Sequence, residues 1–401
     1  MSIAAPVSRS VRFTALPPLS LYIHVPWCIR KCPYCDFNSH EPRSSTGAGP
    51  NGEIPAEPFV DALLQDLESA LPAVWGRPVH TVFLGGGTPS LLPPESVDRL
   101  IAGVRARVRL VADAEITLEA NPGTFEAERF TGFRQAGVNR LSLGVQSFDA
   151  QTLQRIGRIH DDQAAHAAAA HALRTFDRVN LDLMYGLPGQ SLEGALHDVE
   201  AALLHGLRHL SLYHLTLEAN TLFAVQPPAG LPDEDAAAAM LEAIEARLMA
   251  AGLRRYEVSA WAVPGHECQH NLNYWRFGDY LGIGPGAHAK ISLPDRIVRE
   301  TRAMQPRDWF AAVAAGNPVQ SQRTLERAEI PFEFMLNALR LTAGVATESF
   351  AERTGLPLAM LSKGLTQALG RGLIDSDPRV LRATPLGARF LNDLQAIFLP
   401  D

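Results

Sequence analysis

The sequence predicts an α/β fold: a partial (β/α)6 barrel followed by a C-terminal helical, winged-helix-like domain. Three observations predict it. Short apolar, β-rich runs alternate with Ala- and Leu-rich amphipathic stretches through the first half of the chain. Polar residues that suit a site cluster at the C-terminal ends of those runs, the face on which barrel folds bind ligands. From about Ile330 the pattern changes to short helices with one pair of short strands.

The candidate strands are Leu19–Pro26, Thr81–Gly85, Glu115–Ala120, Arg140–Gln146, Val179–Met184 and His209–Leu215. Between them the 3.6-residue periodicity predicts helices at Pro58–Leu71, Pro94–Val108, Phe125–Ala136, Asp161–Phe176 and Leu192–Leu204. Strands alternating with helices imply crossovers and a parallel sheet. Several strands are continuous apolar runs, as expected where both faces are buried. Ser39–Pro58 is rich in Gly, Pro and Ser and reads as a flexible insertion; Val225–Pro232 reads as a linker. A helix at Asp233–Ala251 and a strand at Arg254–Ala260 follow. The C-terminal pattern is helices at Phe332–Leu341, Thr347–Arg353 and Leu358–Ala368, strands near Leu373–Ile374 and Val380–Arg382, then a helix after Pro385. The chain therefore divides into an N-terminal extension (1–18), a barrel (19–225) with a special loop at 26–37, a connecting segment (226–325) and the C-terminal domain (326–401).

Composition narrows the function. The 401 residues are 46% apolar, enough for a sizeable core, and carry a formal charge of −7. That balance argues against nucleic acid or an anionic membrane as partner. It also makes packing or partner docking the better reading of the winged-helix-like domain. No apolar run approaches the roughly 18 residues of a membrane span, and the N-terminus has no apolar secretory core, so the cytoplasm is the expected compartment.

Three of the four cysteines, Cys28, Cys32 and Cys35, fall in one C-x3-C-x2-C segment just after the first strand. Structural zinc wants four ligands, and Cys268 is remote in sequence. A thioredoxin-type pair would leave Cys28 unexplained. A four-iron cluster fits better: three thiolates hold three irons and the fourth stays open to an exogenous ligand. Arg30 and Lys31 favour thiolates there. A zinc loop or a group of structural thiols is the plainer alternative.

The cysteine loop, together with Gly85-Gly86-Gly87-Thr88-Pro89-Ser90, resembles the radical S-adenosylmethionine (SAM) superfamily, whose barrel is the partial (β/α)6 form. That resemblance implies a [4Fe-4S] cluster on Cys28, Cys32 and Cys35, and SAM chelating the open iron, from which an electron releases a 5′-deoxyadenosyl radical. The likeness is closer to the oxygen-independent coproporphyrinogen III oxidase family. It extends through LYIHVPWC, LEANPGT, LSLGVQSF, NLDLMYGLPGQ and LGIGPGAH and covers nearly the whole chain. It implies SAM-facing roles for Tyr22, Tyr34, Gly86, Gly87, Thr88, Glu119, Gln146, Arg158 and Asp182. The chemistry suits: glycines let backbone approach a ligand, carboxylates accept from ribose or ammonium, and Arg158 can grip a carboxylate. Taken singly, each has a plainer reading as a cap, a satisfied amide or a surface arginine.

Two features point to the haem chaperone branch, HemW. The oxidase loop carries a further cysteine where this chain has Phe37, and His270-Asn271-Leu272-Asn273-Tyr274-Trp275 matches the HNxxYW motif of that branch. The resemblance implies haem contact by His270, Tyr274 and Trp275, against the alternative that they are core residues. His24, His160, His214 and His288 are expected to orient groups near the rim, and no residue is assigned a catalytic role. The implied cofactors are the [4Fe-4S] cluster, SAM and haem. The implied partners are haem or porphyrin, a haem-acceptor protein and an electron donor, without nucleic acid or a membrane span. The competing expectation is the oxidase, converting propionates to vinyl groups.

Overall fold

The computed structural model describes residues 11–43, 45, 47–49, 52–123 and 128–400. Six parallel strands lie side by side in chain order: β1 (Leu19–Val25), β2 (Pro78–Gly86), β3 (Arg109–Ala120), β4 (Arg140–Gln146), β5 (Arg178–Tyr185) and β6 (His209–His214). Helices Ala56–Val74, Pro94–Arg107, Phe130–Gln135, Ala150–Arg155, Asp162–Thr175 and Leu192–Leu204 fill the crossovers. With consecutive order and one hand of crossover, the helices cover one face and the sheet bends around the other. In β1 every residue is buried except Tyr22, which is intermediate. The lack of polar alternation there follows from burial on both faces. Asp161 and Ser191 cap their helices by accepting from Ala164 N and Gly194 N. The start of the expected helix Phe125–Ala136 lies outside the described residues, as do residues 1–10 and four positions of Ser39–Pro58.

The segment 226–325, expected to be a connection, adds six strands to the same sheet. β7 (Arg254–Glu257) and β8 (Ala260–Ala262) make a hairpin against β6, where one strand was expected. β9 (Asp279–Ile283) pairs parallel with the outer edge of β1. β10 (His288–Leu293), β11 (Arg296–Arg302) and β12 (Val319–Thr324) continue antiparallel, giving the order β12-β11-β10-β9-β1-β2-β3-β4-β5-β6-β8-β7. β12 is exposed at all but its first residue, so it carries no apolar alternation for a sequence reading to detect.

Two buried carboxylates fasten this extension. Asp279 accepts from Lys290 Nζ at 3.0 Å, Arg77 Nη2 at 2.7 Å and Ser292 N at 2.9 Å. Asp66, on the first helix, accepts from Gly284 N at 3.0 Å and Trp309 Nε1 at 2.9 Å, and pairs with Arg302. A buried charge persists when its lone pairs are filled in this way, and the result holds the β9–β10 turn against the end of β1.

The C-terminal domain has its own core around Phe334, Phe350 and Leu394, which Val11 joins. Its helices are Ile330–Ala338, Ser349–Thr354, Ser362–Gly370, Pro385–Arg389 and Leu391–Ala396. The expected hairpin is reduced to a bridge of Ile374 with Ala383; β14 (Val380–Leu381) pairs instead with β13 (Val345–Ala346). Among the described residues no helix is long and apolar enough to cross a membrane.

Candidate functional site

The ends of the six parallel strands surround a cleft of about 340 Å3, lined by Cys28, Cys32, Tyr34, Cys35, Gly86, Gly87, Thr88, Glu119, Gln146, Arg158 and Asp182. Of the residues expected to hold the cluster or SAM, all but Tyr22 are among those lining this cleft, beside others such as Asn121, Ser142 and Met184. The cysteine loop is closed at its base, where Cys28 N donates to His40 O at 3.0 Å and His40 N to Pro26 O at 2.7 Å. The first residues of the expected flexible insertion are therefore part of the loop's frame.

The end of β2 is laid against this loop by Gly87 N to Val25 O and Thr88 N to Trp27 O, both 2.7 Å. Here the glycines have a cause besides the expected approach to a ligand. A Cβ at Gly86 (φ +110) would lie 2.3 Å from the His24 ring, and one at Gly87 would lie 2.6 Å from Trp27 O. Close packing on β1 demands glycine at both positions.

The thiols are half-buried and separate. Thr88 Oγ1 donates to Cys28 Sγ at 3.3 Å, Arg158 Nη1 to Cys32 Sγ at 3.6 Å, and Cys35 Sγ lies 3.8 Å from Ser39 Oγ. Burial pushes the Cys28 thiol up to about 11 and raises Cys35 as well. Lys31 lowers the Cys35 pKa, in the direction expected of it, but burial is the larger effect; both Arg30 and Lys31 are exposed, and Lys31 Nζ donates to Phe37 O. Among the described residues no three His, Cys, Asp or Glu side chains group so as to share one metal ion.

The floor of the cleft is polar and under-satisfied. Arg158 reaches Asn121 Oδ1 at 2.7 Å and Gly144 O at 2.6 Å, while its buried Nε has no partner. Asn121 also donates to Thr88 Oγ1 at 2.9 Å, joining Arg158 to the cysteine loop. Sequence reading passed over Asn121 as a role, although it lies in the LEANPGT segment. Glu119 accepts from Gly86 N at 2.9 Å; burial, then the neighbouring Asp182, push its carboxyl up to about 8. Burial pushes Asp182 up to about 6 against hydrogen bonds from Asn180 and Ser142. Two acids of raised pKa and an incompletely paired guanidinium thus line one cleft, a set of groups whose chemistry suits the two ends of a zwitterion. Gln146 projects from a register break at the end of β4 with φ 70, an uncommon conformation for a residue with a side chain. His160 donates from Nε2 to Val145 O at 3.1 Å, and His214 packs on Tyr185.

Tyr22 lines a second cleft, of about 460 Å3, with His24, Phe37, Tyr274, Tyr280, His288 and Met304. Gly86, Glu119 and Phe37 border both clefts.

The expected haem-contacting triplet is not assembled as a ligand surface. His270 is 1% exposed and both ring nitrogens are used. Thr81 Oγ1 donates to Ser20 Oγ at 2.8 Å, so its 2.7 Å contact with His270 Nδ1 is donated by the ring; Nε2 then accepts from Tyr274 Oη at 3.1 Å. Burial lowers His270 to about 3, consistent with a neutral ring. Asn273 Nδ2 donates to Ser20 Oγ and Asp279 O. Cys268 is buried against Glu115. Trp275 turns away into the C-terminal core beneath Arg340, 4.3 Å from its ring centre. Helix Gln269–Trp275 is thus a seam between the sheet and the C-terminal domain. Only Tyr274 of the triplet borders a cleft, and His270 cannot ligate iron without giving up its hydrogen bonds.

The chain is similar to known proteins over nearly its whole length. The family model described as Radical SAM superfamily matches residues 22–202, and HemN C-terminal domain matches residues 325–390. The chain is 49% identical over 391 residues to "Heme chaperone HemW" of Escherichia coli (strain K12), covering 96% of this chain and 99% of that protein. It is 36% identical to the mouse mitochondrial "Radical S-adenosyl methionine domain-containing protein 1", covering 95% and 87%. The solved coproporphyrinogen III oxidase (HemN) of Escherichia coli superposes with a TM-score of 0.79 at 24% identity, covering 96% of this chain and 90% of that one, a likeness of fold.

Proposed function

The chain belongs to the radical SAM superfamily and, within it, to the heme chaperone HemW family, and on that premise we propose that it is a cytoplasmic chaperone that binds haem and passes it to an acceptor protein. The observation that carries this reading is the 49% identity across the whole chain to a protein of that name. Phe37, in the place of the oxidase's additional cysteine, supports it.

Binding of a [4Fe-4S] cluster and SAM follows from the family. In this reading Cys28, Cys32 and Cys35 hold three irons and leave the fourth open. Thr88 and Arg158, already hydrogen-bonded to two of the sulfurs, stabilise the thiolates. Arg158 receives the amino-acid carboxylate, and Glu119 and Asp182 receive the cationic and ribose groups of SAM, with Gln146 and Gly87 completing the cradle. When bound, the cluster and SAM together supply one-electron chemistry. The protein's part is to hold the sulfonium beside the cluster and limit water.

The test separates carriage from chemistry. Anaerobically prepared, cluster-loaded protein should take up haem and transfer it to an apo-haemoprotein. With SAM, a low-potential reductant and coproporphyrinogen III it should release no protoporphyrinogen IX; its formation would overturn the chaperone assignment in favour of the oxidase.

A further inference from the structure

We propose that the macrocycle seats in the second cleft and that His288, rather than His270, ligates its iron; the inference rests on the haem-chaperone reading above. The cleft, about 460 Å3, lies in the usual range of ligand sites, roughly 300–1,000 Å3. Its lining comes from Tyr22 and His24 of β1, the β9–β10 turn and the cysteine loop.

Its walls suit a flat apolar ring. Tyr22, Tyr274 and Tyr280 contribute aromatic surface, the last two packed edge to face at 4.5 Å. At its mouth Phe37 is 63% and Met304 61% exposed, large apolar side chains that the fold itself does not use.

Two imidazoles line the cleft, and only one is free. His24 is buried and has both nitrogens engaged, Nδ1 with Tyr22 Oη at 3.0 Å and Nε2 with Asn38 O at 2.8 Å. His288, the first residue of β10, is exposed and makes no side-chain hydrogen bond among the described residues. A neutral imidazole with a free nitrogen is a proximal haem ligand, and a thioether such as that of Met304 is its companion in His/Met ligation.

His270 then has a defined indirect part. It is a positioning residue: its Nε2 fixes the Tyr274 hydroxyl at 3.1 Å, and Tyr274 forms the cleft wall. Because Gly86 and Glu119 border both clefts, the seated macrocycle adjoins the site assigned to SAM.

The experiment is a ferric haem titration of the full-length, cluster-loaded protein, read by Soret difference spectra and low-temperature electron paramagnetic resonance (EPR). The wild type should give a histidine-ligated spectrum. His288→Gly should lose that signature and bind haem at least tenfold more weakly while keeping its cluster absorption, and free imidazole should restore the signature. His270→Gln, which can still hydrogen-bond Tyr274, should keep it. A wild-type spectrum in His288→Gly, no rescue by imidazole, or loss of ligation in His270→Gln would each overturn the assignment. Should His288→Gly not load its cluster, His288→Cys decides: a thiolate-ligated spectrum supports the site and an unchanged one refutes it. If the wild type takes up no haem at all, the chaperone reading itself fails, an outcome distinct from a wild type that binds haem through another residue.

Discussion

The rim of the parallel strands and the seam at Gln269–Trp275 hold similar chemistry, cysteine, histidine, acid and amide, and use it in opposite ways. At the rim, polar groups face a cleft with valences unfilled: Arg158 Nε lacks a partner, and Glu119 and Asp182 are pushed up in pKa. At the seam, His270 has both nitrogens bonded, Asn273 donates twice and Cys268 is buried on Glu115. Access separates the regions better than valence, since Trp275 Nε1 and Glu115 Oε2 at the seam also lack hydrogen-bond partners. Arg158, Glu119 and Asp182 line one cleft with the three cysteines, whereas His270 and Cys268 are buried. A motif rich in ligand-type residues can therefore be structural.

The sharpest way to break this contrast is at the sulfurs. Cys32→Ala should abolish the broad absorption near ~400 nm of anaerobically loaded protein, while Cys268→Ala should keep it. Bleaching by Cys268→Ala would move a cluster ligand to the seam and erase the distinction.

The next largest effect is on stability. His270→Ala leaves Thr81 and Tyr274 short of a partner in a buried space and should cost about 2–4 kcal/mol in urea unfolding, with the cluster still loadable under native conditions. His270→Gln should recover part of that loss. Unchanged stability in His270→Ala would show that the seam does not depend on this residue.

A smaller effect sharpens the rim. With folded-state pKa values raised to about 8 for Glu119 and about 6 for Asp182, each carboxylate opposes folding once ionised. Their ionisation therefore lowers stability as pH rises from the unfolded carboxyl range through those values. Cationic ligand binding has the opposite sign: SAM affinity should increase between pH 6 and 8, by up to roughly tenfold per unit, and Glu119→Gln should flatten the upper part of that rise. Calorimetric titration across that range checks it, and a flat wild-type profile would remove the acids from the site.

Much of this was legible in the sequence because strands buried on both faces are continuous apolar runs, and in parallel barrels their ends share one rim. That placed Glu119, Gln146 and Asp182 together from three strands. The outer strands were not legible: β12 is exposed, and in β9 and β10 the core residues Leu281, Ile283, Ala289 and Ile291 are interleaved with the buried pair Asp279–Lys290, which breaks the apolar rhythm. The packing need for glycine at positions 86 and 87 was not legible, because the neighbours that impose it, His24 and Trp27, are remote in sequence. The same distance hid the seam. His270 finds Thr81 189 positions away, and Asn273 finds Ser20 253 positions away, separations that no local spacing encodes.

The central claim is that three thiolates leave one iron open at the cleft where Glu119, Asp182 and Arg158 converge. The direct measurement is the EPR spectrum of the dithionite-reduced, cluster-loaded protein before and after SAM is added. The account predicts that SAM shifts the g values of the wild-type cluster and that Arg158→Ala blunts the shift at equal SAM. A reduced cluster whose spectrum is indifferent to saturating SAM would contradict it.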